Sequence, residues 1–595
     1  MLSRLDDVSD AQTQSESWME VVSTSLTFSP ELRQQFVTLS EAEGAIQKVI
    51  RAQMENAPPR LLDTTTGLLC DRNARTNTFD TSAEYKELVS LTMKHADHRM
   101  ERIKETVARF FRCVMLSHRW EENEPVLHDI QDKVVHELDP VGGIVKLQSF
   151  CKIARDAGYR WAWMDTCCIN QTNNVEVQES VNSMFVWYRH SALTIVYLSD
   201  VPPSSKSGAL AKSAWNTRGW TVQEFLAPKV VLFYQQDWTP YLDDCSPNHK
   251  DSAAIMRELG DAIGIDARSL VNFRPGMRGA REKLQWVSTR ITTLQEDIAY
   301  SLFGIFGVHL PVIYGEKKQN ALGRLLQEVV AQSGDITCLD WVGKSSEFNS
   351  CLPDSITSYG APPSTPPSPP EDEMQRSVSS LRNPRTVEPV LQLYTMLNHL
   401  SAPRFAHRRL HLPCFIFPVT EIRRRHKNMY LAVADGLNDL LITTEDKLIP
   451  FSPAMPSRRT FLLVRPWDRS LLELSGFEED THVMQDLSLP SIPDNNIPIH
   501  SKSHSRFVHR LQKPFGAVFG SSGDTRGETG QLDSESYSRA LRLIVRLGQP
   551  FSAFLLAQQW GGEYKRLAAD YSIIAQVKDI ASLHNMIDVR TVEIL

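Results

Sequence analysis

The 595-residue sequence has no long apolar run, no surplus of basic charge and no paired-cysteine motif. A bilayer-crossing helix needs about 20 apolar residues, whereas stretches such as Leu302 to Val308 and Phe461 to Val464 are far shorter, so no membrane span is expected. The start, Met1-Leu2-Ser3-Arg4-Leu5-Asp6-Asp7, turns acidic where a secretory signal would continue into an apolar core of roughly 7 to 15 residues; the reading is a soluble, cytoplasmic protein. With 64 Lys and Arg against 71 Asp and Glu, the net charge of -7 gives no general attraction for nucleic acid or anionic lipid. Nine cysteines, an odd number, show neither C-x-x-C nor the Cys/His spacing of a zinc site. They are expected to be reduced and mostly buried, with no metal, since the adjacent Cys167 and Cys168 cannot readily form a relaxed disulfide. No G-x-x-x-x-G-K-[ST] loop occurs, which removes a nucleotide-triphosphatase switch, and there is no internal repeat.

What is present is an ordinary globular composition, 42% hydrophobic and 23% charged, in a chain too long for one core. Residues 1–111 read as a helical lead-in. One pattern runs between Ser29 and Met54, with Ser40 and Glu43 as a capping box, and another from Glu84 to Phe111, carrying His95 on its face. From Arg112 short apolar runs alternate with helices, the signature of β-α-β units around a parallel sheet. Cys113 to Leu116, Trp161 to Met164, Leu193 to Leu198 and Lys229 to Tyr234 read as strands. Val141 to Ala157, Val177 to His190 and Trp220 to Glu224 read as helices. Residues 241–345 form a helical extension packed on this domain, with Thr293 and Glu296 as a capping box before Ile298 to Phe306.

Residues 346–385 are read as a linker because Ala361 to Pro370 is too rich in proline and serine to pack; a spacer and a polyproline ligand both fit it. Residues 386–595 show strand patterns at Leu412 to Val419, Met429 to Val433, Leu440 to Thr444 and Arg459 to Val464. A β-rich domain is expected there, with a flexible insert near 490–530, closing segments at Leu541 to Leu547 and Phe551 to Leu556, and a helix near Ile574 to Met586.

Three ordered motifs, Met115-Leu116-Ser117-His118-Arg119-Trp120, Trp163-Met164-Asp165-Thr166-Cys167-Cys168-Ile169-Asn170-Gln171 and Arg218-Gly219-Trp220-Thr221-Val222-Gln223-Glu224, resemble those of the fungal heterokaryon-incompatibility (HET) domain. The resemblance covers roughly 112–238, and Thr292 to Leu302 with Tyr314-Gly315-Glu316 is similar to what commonly follows that domain. It implies an effector of the programmed cell death that follows fusion of unlike fungal cells. It also implies a TIR/flavodoxin-like fold related to Toll/interleukin-receptor (TIR) domains, some of which cleave NAD with a glutamate. Met115 to Arg119 is similar to their first-strand F-L-S-F-R pattern, with Trp120 where they usually have glycine, and Trp220 to Phe225 is similar to W-C-L-x-E-L, which places Glu224 on that glutamate.

Ligands of open parallel α/β sheets gather at the carboxyl ends of strands, where Ser117, Arg119, Trp120, Asp165, Trp220 and Glu224 are expected to converge. On the enzymatic reading Glu224 acts on an N-glycosidic bond, whose oxocarbenium-like transition state a carboxylate stabilises. Trp120 or Trp220 would stack on a ring of NAD, Arg119 would pair with its pyrophosphate, and Asp165 would hold a ribose hydroxyl or a backbone amide. No cofactor is expected beyond NAD as substrate. Each residue has a plainer use. Glu224 suits the positive end of its helix, Trp220 suits a core, Asp165, Asn170 and Gln171 suit loop backbone groups, and His118 lacks an acid partner fixed by sequence. The alternative function is a non-enzymatic module that self-associates or binds another incompatibility-system protein. The Arg423 to Lys427 run reads as a solvated loop.

Overall fold

The computed structural model describes residues 37–94, 99–363, 370–381, 387–472, 529–579 and 588–595. His95, the 364–369 proline tract, the 490–528 stretch and the N-terminal segment through 36 lie outside the described residues.

Among the described residues the first unit is built on a six-stranded sheet. Its strands are β1 (Arg60–Asp63), β2 (Leu69–Asp71), β3 (Cys113–His118), β4 (Trp161–Trp163), β5 (Leu193–Tyr197) and β6 (Val231–Tyr234), in the order β2-β1-β4-β3-β5-β6. β4, β3, β5 and β6 are parallel. All six residues of β3 are buried, as a strand covered on both faces must be. Counted among the parallel strands alone, the order is 2-1-3-4, that of a doubly wound flavodoxin-like sheet, and its direction switches beside β3. The crossovers carry helices Gly143–Asp156 and Asn174–His190. Gly158 takes the left-handed conformation (φ +81°) that stops the first, and the Asn173 side chain caps the second.

The residues before 112 are not wholly helical. β1 and β2 form a hairpin that pairs antiparallel with β4, fixed where the Asp63 carboxylate accepts from Arg160 at 2.8 and 3.0 Å. The capping box sits at Thr38 and Glu41 rather than Ser40 and Glu43, opening helix Leu39–Glu55 two residues earlier. Both pairs fit the S/T-x-x-E spacing, and sequence does not choose between overlapping matches. The polar stretch after Asp71 is itself a helix, Arg72–Asp80, capped by the Asp71 carboxylate. The helix expected over Glu84 to Phe111 is described as two pieces, Ala83–Lys94 and Arg99–Phe111.

The extension packs directly on the sheet unit. Helices Ala253–Ile263, Ala280–Val287 and Lys318–Ser333 contribute to the core that includes Met115, Val196 and Phe233. No capping box forms at Thr293 and Glu296. Glu296 instead accepts from the Gly315 amide (2.8 Å), and the chain makes two short helices, Asp297–Tyr300 and Phe303–Phe306. The linker reading also begins too early: Ile356–Tyr359 is a buried helical turn, and Arg281 donates to the Tyr359 carbonyl at 3.0 Å.

The C-terminal part is β-rich as expected. Its strands are β7 (Arg404–Ala406), β8 (Arg409–His426), β9 (Met429–Ala434), β10 (Leu440–Thr443), β11 (Phe461–Pro466), β12 (Phe551–Gln558), β13 (Tyr564–Leu567), β14 (Ile573–Ala575) and β15 (Asp588–Ile594). β15 pairs with both β8 and β13, so β8, β11, β12, β13 and β15 close a barrel-like ring. Leu541 to Leu547 falls inside helix Thr529–Gly548, whose apolar face covers the sheet. Ile574 lies in a strand, not a helix, because β12 supplies the pairing edge. The Arg423 to His426 stretch is the exposed end of β8, with Arg423 paired to Glu421.

Arg566 locks this part to the extension. It is 7% exposed and donates to the carbonyls of Leu339 (2.7 Å) and Trp341 (3.2 Å). Its guanidinium lies 4.1 Å from the Trp341 ring and 3.9 Å from Phe554. Arg566→Ala is expected to cost about 3 kcal/mol, the scale for breaking a buried hydrogen-bonded network. Thermal denaturation of the full chain should show an earlier first transition; an unchanged profile would mean the two parts are held by their apolar contacts alone.

Candidate functional site

At the switch between β3 and β5 lies a cavity of about 520 Å³. It is lined by the segment after β3 (Arg119, Trp120, Glu121, Glu122), by the end of β5 and the turn beyond it (Tyr197, Ser199, Asp200), and by Ala214 and Trp215. Arg119 and Trp120 thus line this cavity, and Trp120 is 41% exposed.

Behind the Trp215 wall is a buried polar cluster. The Ser117 hydroxyl accepts from Trp215 Nε1 (2.8 Å) and donates to Glu224 Oε2 (2.5 Å). Glu224 is 4% exposed, sits in helix Thr221–Leu226, and is absent from the cavity wall. Burial, reinforced by the Asp165 charge, pushes its carboxyl up to about 8, against the opposing Ser117 hydrogen bond and the charges of Arg218 and Arg290. Arg290, itself pushed down to about 10 by burial, pins the chain just before that helix. It donates to the Arg218 carbonyl (2.8 Å), the Thr221 hydroxyl (2.9 Å) and Asn216 Oδ1 (3.1 Å).

A second cluster holds Trp120. Asp165, at the start of a short helix after β4, accepts from Trp120 Nε1 on one oxygen (2.8 Å) and lies 3.0 Å from His118 Nε2 on the other. Burial opposes its charge, but His118, Arg218 and Trp120 together hold the carboxyl below its ordinary value. The other face of buried His118 meets Glu124, with Nδ1 3.7 Å from Oε1, and Glu124 pairs with Lys146. Both Asp165 oxygens are thus engaged by side chains, so this residue orients the cavity wall. Asn170 and Gln171 bond within their loop, to Thr172 and the Thr166 carbonyl.

Trp220 is not brought to the cavity. Glu224 four residues on lies in the helix, but Trp220 is its N-cap, and the half-buried indole donates to Asp297 of the extension at 3.2 Å. Trp220 therefore departs from the expected convergence: Glu224 bonds Ser117, whereas Trp220 bonds Asp297. Among the described residues no group of three or more His, Cys, Asp or Glu is placed to hold a metal ion, and no helix is long and apolar enough to cross a membrane.

Residues 114–211 match the family model described as Heterokaryon incompatibility protein (HET). This chain carries a HET domain. It is also 37% identical over 231 residues to a Podospora anserina protein described as Vegetative incompatibility protein HET-E-1. That similarity covers 37% of this chain and 16% of the relative's own length. No solved structure gives a match. The family match includes Ser117, Arg119, Trp120 and Asp165 and ends before Trp215 and Glu224, which bond Ser117 from outside it.

Sequence reasoning passed over Trp215, Glu124, Lys146, Arg218 and Arg290. Trp215 and Arg218 lie within five residues of Trp220, and a tryptophan just upstream of the third motif was the available signal. No sequence signal ties Arg290 to Glu224 across 66 positions; only the packing of the extension does.

Ser117→Ala strands the Trp215 indole and the Glu224 carboxyl without their shared partner and should cost about 1–3 kcal/mol, read as a lower melting temperature. Raising the folded-state pKa of Glu224 from 4.5 to about 8 favours the protonated fold. That contribution is complete below the unfolded pKa and is lost as pH rises through about 8. Relative to Glu224→Gln, the wild type should therefore lose a few kcal/mol between pH 4.5 and 8; parallel urea-denaturation curves of the two proteins across this range would refute it.

Proposed function

We propose that this chain is a heterokaryon-incompatibility effector in fungal non-self recognition, acting through programmed cell death, and that its HET domain cleaves NAD at the nicotinamide–ribose bond with Glu224 as the acting carboxyl. One observation carries the reading: Glu224 and the cavity wall share Ser117 through Trp215, so a carboxyl with a raised pKa stands one side chain behind a ligand-sized cavity at the sheet's switch point. Perturbed carboxyls in such positions are hallmarks of acid–base sites. The incompatibility role is supported by the family match and by the Podospora relative. The likeness to TIR domains, on which the choice of NAD rests, comes from the short motif resemblance around Ser117 and Glu224.

In this mechanism a movement of Trp215 opens Glu224 to the cavity. Exposed there, the Glu224 carboxyl gives up its proton to solvent, and the resulting carboxylate stabilises positive charge on the ribose as the bond to nicotinamide breaks and water takes the nicotinamide's place. Nicotinamide leaves as a neutral molecule, and the attacking water's proton is released. Trp120 provides a ring face, held in place by Asp165 and His118.

The burial of Glu224 favours a second reading. With its carboxyl bonded to Ser117 and outside the cavity wall, it would only tie helix Thr221–Leu226 to β3, and the domain would work by self-association or by contact with another incompatibility-system protein. Nicotinamide release by the purified full chain separates the two. Glu224→Gln should reduce it by at least about 100-fold while the protein stays folded. Equal release by both proteins, or none from either, leaves the non-enzymatic module.

A further inference from the structure

The wall of the cavity has a charge and ring content that select among ligands. Three carboxyl-bearing side chains, Glu121, Glu122 and Asp200, face it with one cation, Arg119. The Asp200 carboxyl accepts from Ser213 Oγ at 2.6 Å and from the Ala214 amide at 2.7 Å, which fixes its place in the wall. Burial opposes the charge of Glu121, but the Ser199 hydroxyl and Lys146 (3.3 Å) hold its carboxyl below the ordinary value, so it is ionised at neutral pH. The compensating lysine lies behind the wall, 5% exposed and also paired with Glu124.

Three aromatic rings complete the lining: Trp120, Tyr197 and Trp215. All three are oriented by their polar ends. Trp120 is held by Asp165, Trp215 by Ser117, and Tyr197 by the Gln236 carbonyl (3.0 Å), with its ring stacked on Trp238 at 4.2 Å. Trp120 already carries one cation: the Arg218 guanidinium lies 5.1 Å from its ring. Arg218 is not part of the cavity wall, and Trp120 keeps 41% of its surface exposed.

Pre-oriented rings within an excess of carboxylates attract a flat organic cation and repel phosphate. We propose that this cavity is a binding site for an aromatic cation of the N-alkylpyridinium class, and that phosphate groups are excluded from it. The site refines the NAD reading, on which it rests for the natural ligand, by seating the positively charged nicotinamide ring here. It removes the pyrophosphate from Arg119, because the surrounding carboxylates outweigh that single guanidinium.

The test is binding without turnover. The full chain is titrated with 1-methylnicotinamide, a cation, with uncharged nicotinamide, and with ADP-ribose, followed by tryptophan fluorescence and calorimetry. 1-Methylnicotinamide should bind several-fold to about thirtyfold more tightly than nicotinamide, the range a cation–aromatic contact supplies. ADP-ribose should not displace it. Glu122→Gln, at an exposed position, should weaken the cation and leave nicotinamide unchanged, Trp120→Leu should weaken both, and Arg119→Gln should strengthen the cation. Equal affinity for the charged and uncharged rings, displacement by ADP-ribose, or no cation binding would each overturn the site. Because cation binding to the wild-type chain is read without turnover, loss of nicotinamide release in Glu224→Gln alone leaves this inference standing, and absent cation binding with intact release defeats it alone.

Discussion

The hydroxyl of Ser117 is the point on which the arrangement turns. It stands one residue before the end of a strand buried on both faces and satisfies two groups that the fold cannot otherwise bury, the indole N–H of Trp215 and the carboxyl of Glu224. An ionised carboxylate this deep would be costly without a matched cation. Arg290 and Arg218 act on it by charge alone, and burial outweighs them, which keeps the carboxyl protonated over most of the neutral range. The same hydroxyl fixes the back wall of the cavity and bonds the acid behind it, whose ionisation is set chiefly by burial.

Trp120 is governed by a parallel device. Its indole is tied to Asp165, Asp165 to His118, and His118 faces Glu124, which pairs with Lys146. These groups come from three different strand ends and loops, so the position of one exposed ring reports on the packing of the whole carboxyl edge of the sheet. The extension takes part as well. The Gly219 amide donates to the Ile291 carbonyl at 2.8 Å, and a Cβ at Gly219 would stand 2.6 Å from the Thr292 methyl carbon, so the third motif needs glycine there to let the extension approach. Arg290 and Asp297 then hold the segments on either side of it.

Much of this was legible along the chain. The central strands read correctly because continuous apolar runs of four to six residues between helical patterns have few other folds open to them. Gly158 is a local signal that sets a helix end; the cap at Asn173 is local as well, but it opens the second helix at Asn174, three residues before the start that the pattern gave. The hairpin of β1 and β2 was missed because its strands are three and four residues long and gain their stability from pairing with β4 rather than from their own pattern. The turn at Ile356–Tyr359 was taken for linker because composition registers the prolines that follow and not the pocket that receives Tyr359.

The sequence by itself determined the parallel α/β unit, the β-rich C-terminal part and the motif residues at the strand ends, because periodicity and turn chemistry are local properties of the chain. Tertiary structure alone decided which of those residues meet. It placed Glu224 against Ser117 and Trp215, turned Trp220 away to Asp297, supplied His118 with the acids its sequence neighbours do not identify, and surrounded Arg119 with carboxylates. Side-chain direction at the end of a strand or the cap of a short helix is fixed by what packs over it. Here the covering groups arrive from positions tens of residues away, where no spacing rule reaches.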